Sequence, residues 1–232
     1  SLYFLCPNFK AMASLHITDS DPAVFIGLAA ALLFTLRPGQ WALGRIFAIS
    51  LLLGLAITSK VSALFYLPFV FLFLFRHRTT LARIWIPRAL GTGVAGFAAA
   101  FLISYLFTPS GLDIFSKSVW FQFMHAKGKH TSFLFGQFSQ NGFWYYFISL
   151  FLLKTPLISL AALFFSIGLF LKSKIKDSSL LWLFFLPALA LGLVLSQGHV
   201  HIGYRYFLPG TILLYTATSI VLARWSQHRN PR

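Results

Sequence analysis

Acidic residues are scarce in this 232-residue chain, which has four Asp and Glu against 19 Lys and Arg. Charged residues of both signs make up only 10% of the sequence, whereas hydrophobic residues make up 58% and aromatic residues 18%. So little charge excludes a soluble globular domain, in which about 25% of residues are charged. The single cysteine, Cys6, excludes an internal disulfide and a cysteine-rich metal site. The composition indicates a protein that lies in a lipid bilayer.

The formal net charge of +15 is typical of proteins that bind nucleic acid and also of proteins that span membranes. Lys and Arg collect in the cytoplasmic connections of membrane proteins, where anionic headgroups attract them. Because the chain is rich in long apolar runs, the membrane explains the charge. We expect membrane lipids, and no nucleic acid, as partners.

Seven apolar runs divide the chain, and each approaches the length of about 20 residues that a membrane-spanning helix needs. The predicted crossings are 22–36, 41–59, 61–75, 89–107, 156–171, 180–195 and 206–223. This pattern predicts an all-α integral membrane fold with about seven transmembrane helices. Residues 1–232 form one transmembrane domain in this prediction, and residues 108–155 form its long outer loop. Since the chain opens on an apolar stretch without a start methionine, we expect it to be the later part of a longer protein.

Basic residues are divided unequally between alternate connections. One set of connections holds Arg37, Arg45, Arg76, Arg78, Arg83, Arg88, Lys172, Lys174, Lys176, Arg224, Arg229 and Arg232. The other set, which is longer in total, holds Lys10, Lys60, Lys117, Lys127, Lys129, Lys154 and Arg205. The positive-inside rule assigns the first set to the cytoplasm. The opposite face has most of the acids and histidines, so we expect the active face outside.

Lys60 lies at the apex of a tight predicted hairpin, because residues 41–75 leave about 17 residues for each crossing. An ammonium group near the outer interface is costly unless it meets an anion, which makes Lys60 a candidate site residue. The alternative is that its side chain extends into the outer headgroups.

The outer segment 108–155 is predicted to carry helices that lie along the membrane surface. Residues 113–125 have an amphipathic pattern. Residues 133–147 combine aromatic, small and amide side chains, which favours a helix at headgroup depth. Pro156, which follows Lys154-Thr155, predicts the start of the next crossing.

Two aspartates precede the first predicted crossing. Asp21, directly before Pro22, is typical of a helix N-cap. Asp19 has no such role and no partner in the local sequence, so it is the better candidate for a general base or a metal ligand. His199 and His201 lack a clear third ligand, and no metal site is predicted from them. The sequence establishes no cofactor, and a divalent cation stays an open alternative.

Arg205 opens the last predicted crossing between Tyr204 and Tyr206. A guanidinium group can hold a phosphate through two parallel hydrogen bonds, while flanking tyrosines lie at headgroup depth. The alternative is that Arg205 anchors the helix end to lipid phosphate by the same chemistry.

Four short motifs follow one another between residues 6 and 209. They are Cys6-Pro7-Asn8-Phe9-Lys10-Ala11 with Leu15, Thr18 and Asp19; Gly54-Leu55-Ala56 with Ser59-Lys60; Phe133-Leu134-Phe135-Gly136 with Trp144-Tyr145-Tyr146-Phe147 and Lys154-Thr155-Pro156; and Gly203-Tyr204-Arg205-Tyr206-Phe207-Leu208-Pro209. Together they resemble the family 39 glycosyltransferases, the dolichyl-phosphate-mannose protein mannosyltransferases and their bacterial relatives. The chain departs from the family pattern at Met12, usually His, and at Ile17, usually Thr. The family's catalytic acid in the first outer loop would precede Ser1.

The resemblance implies the GT-C architecture, a multi-helix membrane fold whose active site faces the periplasm or ER lumen. It implies transfer of a sugar such as mannose from a polyprenyl-phosphate donor to a protein, lipid or glycan acceptor, here in a bacterial inner membrane. Lys60 and Arg205 would bind the donor phosphate, and Asp19 would orient the acceptor or hold a supporting cation. Further candidates for substrate binding are Lys154, His125, His130, Trp144 and Tyr145.

Two other classes of function remain open for this sequence. A transporter or flippase would use the outer cations to admit an anionic lipid or solute, but no crossing carries a charge relay and no inverted repeat is visible. A non-catalytic assembly subunit is the third alternative. The motif order favours the transferase.

Overall fold

A computed structural model describes residues 20–35, 43–76, 86–107, 131–172, 177–197 and 203–229, with single positions between 116 and 124. Apart from one small hairpin, the secondary structure of these residues is helical, which confirms the predicted all-α class. The chain divides into two compact units, Asp21–Gly128 and Lys129–Arg232, the second of which includes Ser1–Ser20. Each unit is described by itself.

The first unit is built from four helical segments. Helix α1 is Ser20–Phe34, α2 is Leu43–Ser59, α3 is Leu67–Arg76 and α4 is Ile86–Phe107; a 3₁₀ helix, Val61–Tyr66, leads into α3. Since α1 begins at Ser20, Asp21 lies in its first turn and not at the predicted N-cap. A carboxylate there still interacts favourably with the helix dipole.

Small residues let α2 and α4 pack closely and in parallel. A Cβ atom at Gly96 would lie 2.7 Å from the carbonyl oxygen of Phe47, and one at Gly54 would lie 2.5 Å from the Cβ of Ala100. Further along, Ser104 donates a hydrogen bond to Thr58 at 2.8 Å. Because the residue numbers at these contacts increase in the same order along both helices, the two helices run in the same direction. Small residues of this kind are common where membrane helices meet.

The second unit begins with a β-hairpin and continues through four helices. Strands β1, Ser132–Leu134, and β2, Gln137–Ser139, pair antiparallel. Helix α5 is Tyr146–Lys154, α6 is Leu157–Lys172, α7 is Ser178–Gln197 and α8 is Leu208–Arg229; a 3₁₀ turn, Tyr204–Phe207, precedes α8. Helix α8 packs against both α6 and α7.

The hairpin corrects the prediction that residues 133–147 form one interfacial helix. Phe135 and Gly136 both have positive φ, +49° and +82°, as a two-residue hairpin turn requires. Phe133 and Phe138 are direct partners across the two strands, so their rings lie on the same face of the hairpin, and a helix begins only at Tyr146. The aromatic composition of residues 133–147 predicted a position at the membrane surface. The positive φ angles of Phe135 and Gly136 make the first part of this segment a hairpin instead of a helix.

Prolines shape two of the helices in this unit. Helices α5 and α6 meet at 114° across Thr155-Pro156, where the sequence predicts a new crossing. In α7, residues Leu181–Phe185 form a wider π-helical turn just before Pro187. Proline has no amide hydrogen to give to the preceding turn, so the helix hydrogen bonds rearrange there.

Each of the seven predicted crossings overlaps one of these helices. Among the described residues, three helices are long and apolar enough to cross a membrane: Arg88–Leu106, Ser178–Gln197 and Tyr204–His228. The bent pair of α5 and α6 makes a fourth if it counts as one span, and α1, α2 and the 3₁₀–α3 segment are apolar but shorter. The described residues therefore include helices that could span a membrane, whereas the number seven stays a prediction.

Candidate functional site

Arg205 lies on the 3₁₀ turn at the start of α8. Gly203 before it has a φ of +149°, which side-chain-bearing residues rarely adopt, so a glycine is needed to lead the chain into the turn. The Arg205 side chain is half-buried, and its Nε is shielded from solvent. Its guanidinium carbon lies 5.3 Å from the centre of the Tyr206 ring, a distance at which the aromatic ring stabilises the cation.

Tyr204, on the other side of Arg205, is buried. Its hydroxyl lies 2.7 Å from Oγ1 of Thr211, and only 1% of the residue is exposed. The polar end of Tyr204 therefore finds its partner inside the protein, whereas its depth in the membrane stays a prediction.

Phe207 packs the same turn against two other helices. Its ring centre lies 5.7 Å from that of Phe151 on α5. A Cβ atom at Gly192 of α7 would lie 3.3 Å from the Phe207 ring, so the absence of a side chain there leaves room for it. Lys154 is exposed at the end of α5, three residues after Phe151. The structure thus places Lys154 and Arg205 on adjacent elements of this unit.

Three buried hydroxyl groups lie in the same unit as this turn, and two helices of that unit, α5 and α7, pack against the turn. Thr155 lies in the break between α5 and α6, Ser159 lies one helical turn later, and Ser196 lies near the end of α7, which packs against α5 and the 3₁₀ turn. Among the described residues none of the three hydroxyl oxygens has a hydrogen-bond partner. An unpaired buried hydroxyl costs about 1–3 kcal/mol, and such groups call for a water or a ligand.

Sequence reasoning singled out Thr155 only as part of a motif and did not select Ser159 or Ser196. The feature of the sequence that could have identified two of them is the spacing of Thr155 and Ser159, which lie one helical turn apart at the break between α5 and α6. We name Arg205, Thr155, Ser159 and Ser196 the turn cluster.

Trp144 and Tyr145 form part of an aromatic surface before α5. Trp144 is 75% exposed, and its ring centre lies 5.4 Å from that of Tyr145, nearly perpendicular to it. On the hairpin, the exposed rings of Phe133 and Phe138 lie 4.9 Å apart. Exposed aromatic side chains in a membrane protein are typical of the headgroup region.

Lys60 lies at a sharp change of direction in the first unit. Its backbone is extended, with φ −157° and ψ 122°, between the end of α2 and the 3₁₀ helix. Its amide donates to the carbonyl of Ala56 at 3.0 Å, and its carbonyl accepts from the amide of Ala63 at 2.9 Å. Ile46 near the start of α2 and Leu74 near the end of α3 line the same cavity. The two ends can meet there only because the chain reverses its direction at Lys60. The side chain itself is half-buried.

Three candidate residues, Asp19, His125 and His130, lie outside the described residues. Within the described ranges, no three His, Cys, Asp or Glu side chains converge as metal ligands would. The divalent cation considered from the sequence therefore stays a prediction.

An ion pair lies at the opposite end of α8 from Arg205. Nη1 of Arg224 donates to Oδ2 of Asp177 at 3.0 Å, and the other carboxylate oxygen accepts from the amide of Ser179 at 2.8 Å. Partial burial raises the pKa of the Asp177 carboxyl, but the Ser179 amide and the Arg224 side chain outweigh it, so the pKa is lowered overall. This ion pair stabilises the packing of α7 on α8 and is not part of the turn cluster.

Comparison of the chain with family models, with curated proteins and with solved structures finds no match.

Proposed function

We propose that this protein is a membrane glycosyltransferase that moves a sugar from a polyprenyl-phosphate donor to a protein, lipid or glycan acceptor. The observation that carries the proposal is the turn cluster. It combines a guanidinium held against a tyrosine ring with buried hydroxyl groups that have no partner among the described residues. A phosphate suits the guanidinium, and the hydroxyl groups of a sugar suit the unpaired hydroxyls of the protein.

The proposed reaction breaks the bond between the sugar's anomeric carbon and the donor phosphate. The acceptor oxygen forms the new bond to that carbon, its proton passes to a carboxylate, for which Asp19 is the candidate in this chain, and the polyprenyl phosphate leaves with the bonding electron pair. Arg205 stabilises the negative charge on the leaving phosphate, and Lys60 is the second proposed cation. Asp19 is proposed to orient the acceptor.

The exposed Trp144 ring has a proposed role at the edge of the donor site. Its exposure of 75% leaves its face open to a sugar ring or a prenyl chain. Lys154, three residues after the packed residue Phe151, is the third proposed basic group for the donor.

The proposal is tested with the full-length protein in vesicles that contain a polyprenyl-phosphate sugar labelled in the sugar. A transferase releases one polyprenyl phosphate for each labelled acceptor formed. A flippase moves the intact donor across the bilayer without cleaving it. Donor movement without cleavage, in the presence of protein and glycan acceptors, would favour the transporter and refute the transferase.

Arg205→Gln provides the matched variant in that assay, and Lys172→Gln provides the control. Both changes remove one positive charge from the second unit, but Lys172 is exposed at the end of α6. We expect Arg205→Gln to lower the initial rate about ten- to a hundred-fold, the range of a charge-assisted contact, and Lys172→Gln to leave it unchanged. Equal losses would mean that these cations act only through the membrane surface.

A further inference from the structure

The first unit contains an apolar cavity of about 370 Å³. All four of its helices contribute lining side chains, for example Leu33, Leu53, Leu74 and Phe97. Ser50 is the one hydroxyl among the described lining residues. A cavity of this composition has nothing to offer a polar ligand, but it can accommodate a hydrocarbon chain.

The rim of this cavity lies on an exposed apolar surface of the protein. Phe71, Leu90 and Val94 all line the cavity, and they are 67%, 65% and 68% exposed. Leu90 and Val94 belong to the candidate span Arg88–Leu106, of which only 11% is buried inside the protein. In a bilayer, hydrocarbon chains therefore lie directly beside the cavity.

Three exposed arginines lie at one end of the cavity. Arg45 directly precedes the lining residue Ile46, Arg88 directly precedes Ala89, and Arg76 lies two residues after Leu74. Arg45 and Arg88 lie at the same end because α2 and α4 run in parallel.

Arg76 joins the other two arginines because α3 returns from Lys60 at the far end of α2. Among the described residues of this unit, Asp21 is the one acidic residue. It lies at the opposite end of α1 from the lining residue Leu33, about 18 Å along the helix. The end of the cavity with Arg45, Arg76 and Arg88 therefore attracts anions.

We propose that this cavity and its three arginines bind an anionic glycerophospholipid. One acyl chain occupies the cavity, and Arg45, Arg76 and Arg88 surround the headgroup phosphate. Basic groups beside pockets between membrane helices bind anionic headgroups in this way. A neutral lipid would fill the same cavity but would give the arginines no net negative charge. The site is independent of the proposed transferase reaction, since Lys60 lies at the other end of the hairpin.

The test uses the full-length protein in phosphatidylcholine vesicles with a trace of spin-labelled phosphatidylglycerol or spin-labelled phosphatidylcholine. Electron paramagnetic resonance measures the fraction of labelled chains whose motion the protein restricts. We expect phosphatidylglycerol to be restricted preferentially. Arg45→Gln, Arg76→Gln and Arg88→Gln should each weaken this preference about five-fold, which corresponds to about 1 kcal/mol for a basic side chain near an anionic surface. Lys172→Gln, exposed on the second unit, is the charge-matched control and should leave the preference unchanged.

A pair of glycine variants tests the cavity separately from the charge. Gly93 lines the cavity, and a Cβ there would meet Ser50 Oγ at an ordinary 3.5 Å, so Gly93→Leu extends its side chain into the cavity. Gly91, on the same helix, would meet nothing within 4 Å and does not line the cavity. We expect Gly93→Leu to release the restricted phosphatidylglycerol and Gly91→Leu to retain it.

Equal restriction of the two spin-labelled lipids by the wild-type protein would overturn the proposal, and so would equal effects of the two glycine variants. Displacement of phosphatidylglycerol by an equimolar amount of polyprenyl phosphate would also overturn it, because the cavity would then belong to the donor. If Gly93→Leu does not fold, the preference of the wild-type protein and its loss in the arginine variants decide the question.

Discussion

Asp177 and Arg224 join the start of α7 to the end of α8, with Nη1 of Arg224 3.0 Å from Oδ2 of Asp177. The same carboxylate caps α7 by accepting from the amide of Ser179. The two residues lie 47 positions apart in sequence. One side chain therefore both begins a helix and fixes it to its neighbour.

Substitutions at Asp177 should separate these two roles. Asp177→Asn keeps a cap acceptor but loses the ion pair, which contributes about 0.5–1 kcal/mol because both side chains are about one-third exposed. Asp177→Ala also loses the cap and should cost about 1 kcal/mol more. Thermal unfolding in detergent measures both changes. Arg224→Gln in the Asp177→Asn background should add little, and a fully additive loss would show that the pair does not couple.

The same ion pair should lose its effect in acid. Because the pKa of Asp177 is lower in the folded protein than in the unfolded chain, its stabilisation is present above the unfolded value of about 3.9 and is lost as the pH falls through the folded value. The difference in Tm between wild type and Asp177→Asn should therefore be constant near neutral pH, begin to shrink at about pH 4 and disappear once the pH is below the pKa of the folded protein. A difference that grows on acidification would contradict this assignment.

Close packing of α2 on α4 should make two glycines intolerant of a methyl group. In Gly96→Ala the new Cβ would lie 2.7 Å from Ser50 Cβ and from a backbone oxygen, and neither can move independently of α2. We expect Gly96→Ala and Gly54→Ala each to destabilise the protein by about 1–3 kcal/mol, measured as loss of Tm. Gly91→Ala, with open space around it, is the control and should be neutral or slightly stabilising.

The buried hydroxyls of the turn cluster should matter for donor use and not for folding. Thr155→Val and Ser159→Ala remove an unpaired polar atom, so neither should lower Tm. If the hydroxyls bind the sugar, each change should lower kcat/KM for the donor about five- to ten-fold, which corresponds to about 1 kcal/mol. Unchanged kcat/KM with a raised Tm would remove these residues from the proposed site. Ser166→Ala, which removes a buried hydroxyl that is hydrogen-bonded to Leu163 and Thr218, is the control for folding.

Lys60 and Arg205 should act together if they bind one phosphate. Lys60→Gln and Arg205→Gln should each reduce donor use about ten- to a hundred-fold, and the double variant should lose less than the product of the two factors. Arg205→Lys should recover only part of the loss, because a point charge does not reproduce the planar guanidinium. Initial rates at subsaturating donor provide the measurement. Independent, multiplicative effects would place the two cations at different sites.

Some of the structure could be read directly from the sequence, because it depends on local and compositional features. Long apolar runs fixed the positions of the helices, and Pro156 predicted the break after Lys154 that the structure has at 114°. Lys60 between two apolar runs predicted the turn at the end of α2, where its backbone is extended. Such features follow from residues close together in the chain, where propensity and proline geometry act directly.

Other features depended on contacts between distant residues. The burial of Tyr204 is one example, since its hydroxyl meets Thr211 and its ring contacts that of Phe207. Nothing in the local sequence shows that the hydroxyl groups of Thr155, Ser159 and Ser196 are buried, since their burial depends on how the helices of the second unit pack. The sequence by itself determined an all-α membrane protein with basic residues concentrated in alternate connections. Only the tertiary structure decided which side chains are buried, which are paired and which have cavities beside them, because burial depends on neighbours brought together from distant parts of the chain.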